Sequence, residues 1–179
     1  MKPGKVLIAV AVLLFVLLAC AVSFCIGMGV QRASDIAENL RSECRFAQLE
    51  FLLRMYYREH GHFPPKKYQP TADGATHSWR LLLLRYVDVN AEKWFSEYDF
   101  TKSWDDLANA PALQGLDRFG RAFFSIDGRS ETTNYLAIDE DDPWPSSKPL
   151  KALLIEEGKD RFLIVEVPTS TVRWFDPEF

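Results

Sequence analysis

An uninterrupted apolar run near the N-terminus is the feature that most constrains this chain. No residue from Val6 to Val30 is charged, and Ser23 is the only clearly polar side chain within that stretch. As an α-helix the run would reach about 37 Å, which exceeds the hydrocarbon core of a bilayer at about 30 Å. Because helices satisfy their own backbone polar groups in lipid, the run predicts a transmembrane helix over residues 6–30.

The residues that flank the run predict an orientation. Lys2 and Lys5 precede it with no acidic neighbour, which favours a signal anchor with residues 1–5 in the cytoplasm and residues 31–179 as an extracytoplasmic domain. Cleavage after a small-residue site around Ala19 and lipidation at Cys20 in a lipobox-like sequence both stay open. The predicted location is the cell membrane, with the lipid bilayer as the first partner.

Composition and missing motifs exclude several functional classes. Lys and Arg number 21 against 25 Asp and Glu, and a net charge of −4 provides no general basic field for nucleic acid. Cys44 is the only cysteine after the apolar run, so we expect a free thiol that is buried as a small hydrophobe. No phosphate loop, nucleophile elbow or paired metal motif occurs, so we predict no enzymatic activity; a hydrolase using paired carboxylates is the remaining catalytic alternative.

Hydrophobic periodicity predicts an α+β fold. A second helical pattern runs from Ser34 to His60, and Gly61 with Pro64 ends it. Its apolar residues recur at spacings of three and four, with the main stripe at Leu40, Cys44, Ala47, Phe51 and Met55, widened by Leu49, Leu52, Leu53 and Tyr56. A short helix is predicted from His77, and β-type runs lie at residues 122–126, 132–138, 161–167 and 171–175. Helices followed by short strands predict an antiparallel sheet.

Five short motifs in register resemble a bacterial family of pseudopilin-like proteins of unknown function, related to the major pseudopilins of type II secretion. They are Cys44–Pro65, which ends in Tyr57–Pro65, then Thr76–Leu84, Tyr98–Asp105, Thr133–Ala137, and finally Ile164–Val167 with Trp174–Pro177. The resemblance implies a pilin-like fold, in which one long N-terminal helix lies half in the membrane and half on a small antiparallel sheet with short extra helices. It also implies a structural or binding protein of the cell envelope, with envelope or secretion-system proteins as partners.

The chain departs from that family in two places. Lys5 follows Gly4, and Ala9 stands where the prepilin-peptidase motif has a glutamate, so that motif is missing. Many relatives carry a second external cysteine before the Thr-Asn-Tyr motif, whereas this chain has Phe123 and Phe124 there. The resemblance therefore implies neither N-terminal processing nor a disulfide at Cys44.

An acidic run offers the strongest candidate metal site. Asp139, Asp141 and Asp142 provide carboxylates for Ca²⁺, a hard cation that prefers six to eight oxygen ligands. Related major pseudopilins hold Ca²⁺ in a C-terminal loop, so the resemblance makes Ca²⁺ the alternative here; we predict a solvated acidic loop and no cofactor. His60 and His62 have a spacing that two metal ligands could use, but we predict a plain loop there, with a metal site as the alternative.

Three further residues are singled out by their position. Glu166 lies in an apolar strand pattern, so it needs a partner, and we predict an ion pair with Arg80. Trp144 lies between two prolines and is the candidate for contact with a binding partner. Together with the acidic run, Trp144 would serve the alternative function, an exported solute- or carbohydrate-binding domain.

Overall fold

The computed structural model describes residues 3–125, 128, 130–138 and 151–177, with the backbone alone for residues 3–19 and 21. Its elements are α1 (Pro3–His60), β1 (Lys67–Tyr68), β2 (His77–Ser78), α2 (Trp79–Leu84), α3 (Val89–Ser96), a 3₁₀ turn (Leu107–Asn109), α4 (Ala110–Phe124), β3 (Tyr135–Ile138), β4 (Lys151–Glu157) and β5 (Asp160–Glu166). The chain divides into two compact units, Met1–Glu43 and Cys44–Phe179. A long N-terminal helix and small antiparallel sheets confirm the predicted α+β class.

The first unit consists of α1 as far as Glu43, and it corrects the predicted membrane segment. Nowhere in the part of the chain that the structure describes is a helix both long and apolar enough to cross a bilayer. The predicted transmembrane helix, signal anchor and single-pass membrane location are therefore wrong.

Helix α1 ends where glycine allows the backbone to reverse. Gly61 has φ +76°, in the left-handed region that glycine adopts freely, and its N–H donates to the Tyr57 carbonyl at 2.7 Å. Arg58 and His60 lie in the last turn, where positive charge complements the helix dipole. Pro64 and Pro65 then keep the chain extended, as the sequence predicted.

Short side chains cap α2 and α3, whereas Asn109, at the start of α4, makes no capping hydrogen bond through its side chain. The Ser78 hydroxyl accepts from Arg80 N at 3.3 Å at the start of α2, so Ser78, and not the neighbouring His77, is the cap. Asp88 accepts from Asn90 N and Ala91 N at the start of α3. These caps satisfy the backbone N–H groups that have no partner within a helix.

A three-stranded antiparallel sheet in the order β3-β5-β4 forms the second half of the larger unit. Strands β4 and β5 are joined by a two-residue turn, in which Gly158 has φ +61°. Along β5, Phe162 and Ile164 belong to the main core, whereas Val165 belongs to a smaller cluster on the other face. The alternation predicted for this strand is confirmed.

The main core of this unit lies between the end of α1, the sheet and α2. From α1 it takes Leu49 and Leu53, both fully buried, whereas Cys44 and Phe51 are exposed. The buried face of the helix thus contains Leu49 and Leu53, which were predicted only to widen the apolar stripe. Cys44 and Phe51, which belong to the main predicted stripe, face away from this core. Burying a leucine contributes about 1.5–3 kcal/mol, which fixes the helix on this side.

Two predicted strands are helical or irregular instead. Residues 122–124 continue α4, which runs from Ala110 to Phe124 with Pro111 in its first turn. Residues 171–175 form only an isolated bridge, between Thr132 and Arg173, and β4 was not predicted. Residues 122–124 are helical because the helix buries Leu116 and Phe124 fully on one of its sides.

Candidate binding cleft

An open cleft of about 990 Å³ lies between the segment that follows α1 and the β4–β5 hairpin. One wall is the run from His62 to Lys67, and the other is the start of β5 from Lys159 to Leu163. Leu154 of β4 and Ile138, the last residue of β3, complete the lining. Its volume is at the upper end of the range for small-molecule sites, about 300–1,000 Å³.

Aromatic contacts hold the two walls together. Phe63 and Phe162 are buried, and their ring centroids lie 5.8 Å apart. Phe63 also packs against Tyr57 of α1, at 5.0 Å between centroids. The Tyr57 hydroxyl donates to the Glu157 carbonyl at 3.2 Å, next to the hairpin turn. Both walls are thus fixed to α1, and the cleft is a formed feature of the fold.

The cleft carries positive charge in a chain whose net charge is negative. Four fixed cations line it, two on each wall: Lys66, Lys67, Lys159 and Arg161. Asp160 is the one carboxylate among the lining residues described. Arg161 also donates to Glu156 at 2.9 Å, in a pair whose two side chains are both more than half exposed. Such exposed pairs contribute at most about 1 kcal/mol.

His77 has a structural role deep in the core. Its Nε2 lies 3.0 Å from the Phe100 carbonyl, which only accepts, so Nε2 carries the proton and donates. Nδ1 then accepts from the Tyr98 hydroxyl at 2.9 Å. Burial lowers the pKa of His77, partly opposed by the Phe100 hydrogen bond. The neutral ring ties β2 to the segment after α3.

Arg80 is fully buried and binds backbone. Its Nε and Nη2 donate to the Tyr135 carbonyl at 3.1 and 2.7 Å, and its Nη1 donates to the Ser78 hydroxyl. Burial lowers the pKa of Arg80 to about 9, with the charge of Asp176 acting in the opposite direction. The guanidinium thereby joins α2 to the first residue of β3.

Glu166 lies on the other side of the same tyrosine. It is 3% exposed, and on β5 it pairs with Tyr135 of β3 and Lys151 of β4. Burial, together with the negative charge of Glu166, raises the pKa of the Tyr135 phenol. Arg80 thus binds the backbone carbonyl of Tyr135, and Glu166 is the neighbour of Tyr135 on the adjacent strand. The direct ion pair between Arg80 and Glu166 stays a prediction.

The remaining predicted site residues lie away from the cleft or outside the described chain. Cys44 is a free cysteine, but its side chain is exposed, not buried, because it faces away from the core. Asp139, Asp141, Asp142 and Trp144 lie outside the described residues, so calcium binding and carbohydrate binding stay predictions. Within the described ranges, no three His, Cys, Asp or Glu side chains converge on a metal position, His60 and His62 included.

Sequence reasoning missed the cleft because its cations come from distant positions. Lys66 and Lys67 are separated from Lys159 and Arg161 by more than 90 residues, and no motif connects them. The available signal was weak: two pairs of cations next to prolines or a glycine turn in an acidic chain.

Comparisons of the chain with protein-family models, with curated proteins and with solved structures found no match.

Proposed function

We propose that this chain is a non-catalytic, pseudopilin-like structural or binding protein of a secretion-related assembly. The observation that carries the proposal is the division of α1 within the larger unit into two faces. Leu49 and Leu53 are fully buried against the sheet, whereas Phe51, between them in sequence, is 59% exposed. A helix that supports a small sheet with one face and offers an apolar second face is suited to assembly through contact.

The exposed face continues at helical spacing. Cys44, Ala47 and Phe51 follow one another at intervals of three and four residues, and all three are exposed. Exposed apolar side chains grouped on one helix face, with the large Phe51 among them, favour burial against another molecule.

A second copy of the same chain is the occupant that this face fits. Charges of both signs lie beside Phe51: Glu50 and Arg54 pair with each other at 2.8 Å, and Arg54 also pairs with Glu157. A second copy would bring its own Glu50 and Arg54 to the same stripe, so these half-exposed pairs can be exchanged for pairs between copies, as paired helices do at their flanking positions.

Buried ionisable groups support the non-catalytic part of the proposal. The hydrogen bonds described for His77 and Arg80 go to Tyr98, Ser78 and backbone carbonyls, which joins separate segments of the fold. Neither side chain lines the cleft. These groups stabilise the domain, so the chain is suited to binding and assembly.

Self-association of the full-length chain tests the proposal. We expect F51K to weaken the association constant at least about tenfold in sedimentation velocity, because it replaces a large apolar contact worth more than about 1.4 kcal/mol. L107K is the matched control, since Leu107 is 88% exposed but lies outside α1. In a C20S/C25S background, oxidation should also join two copies through Cys44.

Two results would contradict the proposal. Association that is equally weakened by F51K and L107K would show a general effect of surface charge. A full-length chain that stays monomeric at high concentration and forms no Cys44-linked dimer would exclude a second copy as the occupant of this face.

A further inference from the structure

The cleft between residues 62–67 and the β4–β5 hairpin has a charge opposite to that of the chain around it. We propose that this cleft binds an acidic, extended peptide segment of a partner protein, with carboxylates between its walls and apolar side chains on its floor. None of its lining residues belongs to α1, so this inference does not depend on self-association through the helix.

Cations on both walls provide the recognition. Lys67 and Lys159 are exposed on opposite walls, and Lys66 and Arg161 lie beside them. A carboxylate between the walls would gain charge-assisted hydrogen bonds from either side. Arg161 presents a planar fork of five donors, and its exposed pair with Glu156 is weak enough to be exchanged for a ligand carboxylate.

The floor of the cleft favours a peptide over other anions. Ile138 is buried, Leu163 is partly buried, and Leu154 is 44% exposed, so the space between the cations is apolar. Peptide side chains can fill such a space, whereas the sugar–phosphate backbone of a nucleic acid offers no matching apolar groups. A net charge of −4 also opposes long-range attraction of a nucleic acid, which needs a wide basic field.

The direction of the charge contrast adds selectivity. Away from the four cleft cations the chain carries more acidic than basic residues, so an acidic segment is on average repelled there. Like charge costs binding free energy, which disfavours docking outside the cleft. The cleft therefore fixes the position of its ligand through attraction inside and repulsion outside.

Fluorescence anisotropy with the full-length chain tests this proposal. The probe is a fluorescein-labelled peptide of alternating Glu and Leu, and its matched control replaces each Glu with Gln. We expect the Glu-Leu peptide to bind at least about tenfold more tightly than the control, and its affinity to fall as salt is raised from about 0.05 to 0.5 M. K67E/K159E should weaken binding at least about tenfold.

Variants on the surface separate the cleft from general electrostatics. K102E is a charge reversal outside the cleft, because Lys102 is exposed and does not line it; it reverses half as many charges as K67E/K159E and should change the affinity less than about twofold. L154D should weaken the Glu-Leu peptide but leave circular dichroism and the unfolding midpoint close to wild type. Equal losses with K102E and K67E/K159E would overturn the proposal.

Two other occupants give distinct results that also overturn it. A single-stranded oligonucleotide that binds as tightly as the peptide, and loses affinity equally with K67E/K159E, would identify a general polyanion site. Binding of the peptide only to D139N/D141N/D142N would mean that the chain's own acidic run competes for the cleft and that no separate partner is needed.

Discussion

Replacing Gly120 with alanine is the most direct test of how the core closes. Gly120 lies in α4, and a methyl group there would overlap the indole ring of Trp174. Alanine normally stabilises a helix by about 1 kcal/mol relative to glycine. The structure predicts the opposite sign, because the added atom meets a fully buried ring.

Trp174 has no room to move aside. Its backbone N–H donates to the Glu131 carbonyl at 3.1 Å, and its indole N–H donates to Asp117 Oδ1 at 3.3 Å. Its ring stacks on Phe124 at 6.4 Å between centroids and meets Phe175 at 4.9 Å. Forcing an extra methyl into such a site costs about 1–3 kcal/mol, and more if the ring is expelled.

Because the ring cannot move aside, we expect a cost in the upper part of that range, about 2–3 kcal/mol; subtracting the helix propensity gain of about 1 kcal/mol leaves a net loss of about 1–2 kcal/mol in the free energy of unfolding of G120A. For a chain of this size that corresponds to a melting temperature lower by about 2–8 °C. Urea unfolding followed by circular dichroism measures the free energy, and tryptophan emission reports whether an indole has moved into water.

Gly115 provides the matched control in the same helix. A methyl group at Gly115 would meet the ring of Trp94, but Trp94 is only half-buried and can shift toward solvent. G115A should therefore cost less than G120A. If G120A is as stable as the wild type, or more stable, the packing of Trp174 against α4 is not as described.

Two further predictions concern buried polar groups. Burial lowers the pKa of His77, so its contribution to stability is complete above its ordinary pKa of 6.5 and is lost as the pH falls below that value. In wild type the free energy of unfolding should therefore fall between about pH 7.5 and 5.5, and H77Q should make that fall smaller. An equal fall in H77Q and wild type would contradict this prediction. Asn109 is fully buried and donates to the Asp99 and Ser103 carbonyls while accepting from Asp99 N, so N109A should cost about 2–3 kcal/mol in urea unfolding. N39A, at an exposed helix position, should change stability by less than about 0.5 kcal/mol, and similar losses in both variants would refute the role of the Asn109 bonds.

Local signals in the sequence predicted the elements that glycine, proline and periodicity define. The end of α1 at His60 follows from Gly61 and Pro64, which act on the backbone without help from the rest of the fold. The strand over 161–167 was found because its apolar residues alternate. These features depend on neighbours in sequence, so sequence alone was sufficient.

Features that depend on distant residues were not predictable in the same way. Which face of α1 is buried is decided by the sheet that meets it, so Leu49 is buried while Cys44, in an equally regular apolar pattern, is exposed. Residues 122–126 were assigned to a strand because Phe123 and Phe124 favour strands, but tertiary packing keeps residues 122–124 in α4. The cleft was missed for the same reason, since its walls come from opposite ends of the larger unit.

The position of Trp174 has a consequence for biosynthesis. Trp79, Leu49 and Phe124 all contribute to a core that stays unfinished until this late residue has left the ribosome and inserted beside α4. At about 5–20 residues per second, the nascent chain would expose those apolar side chains for several seconds after α1 has been made. We expect chaperones to engage the nascent chain during that interval, because transiently exposed apolar surface is prone to aggregation.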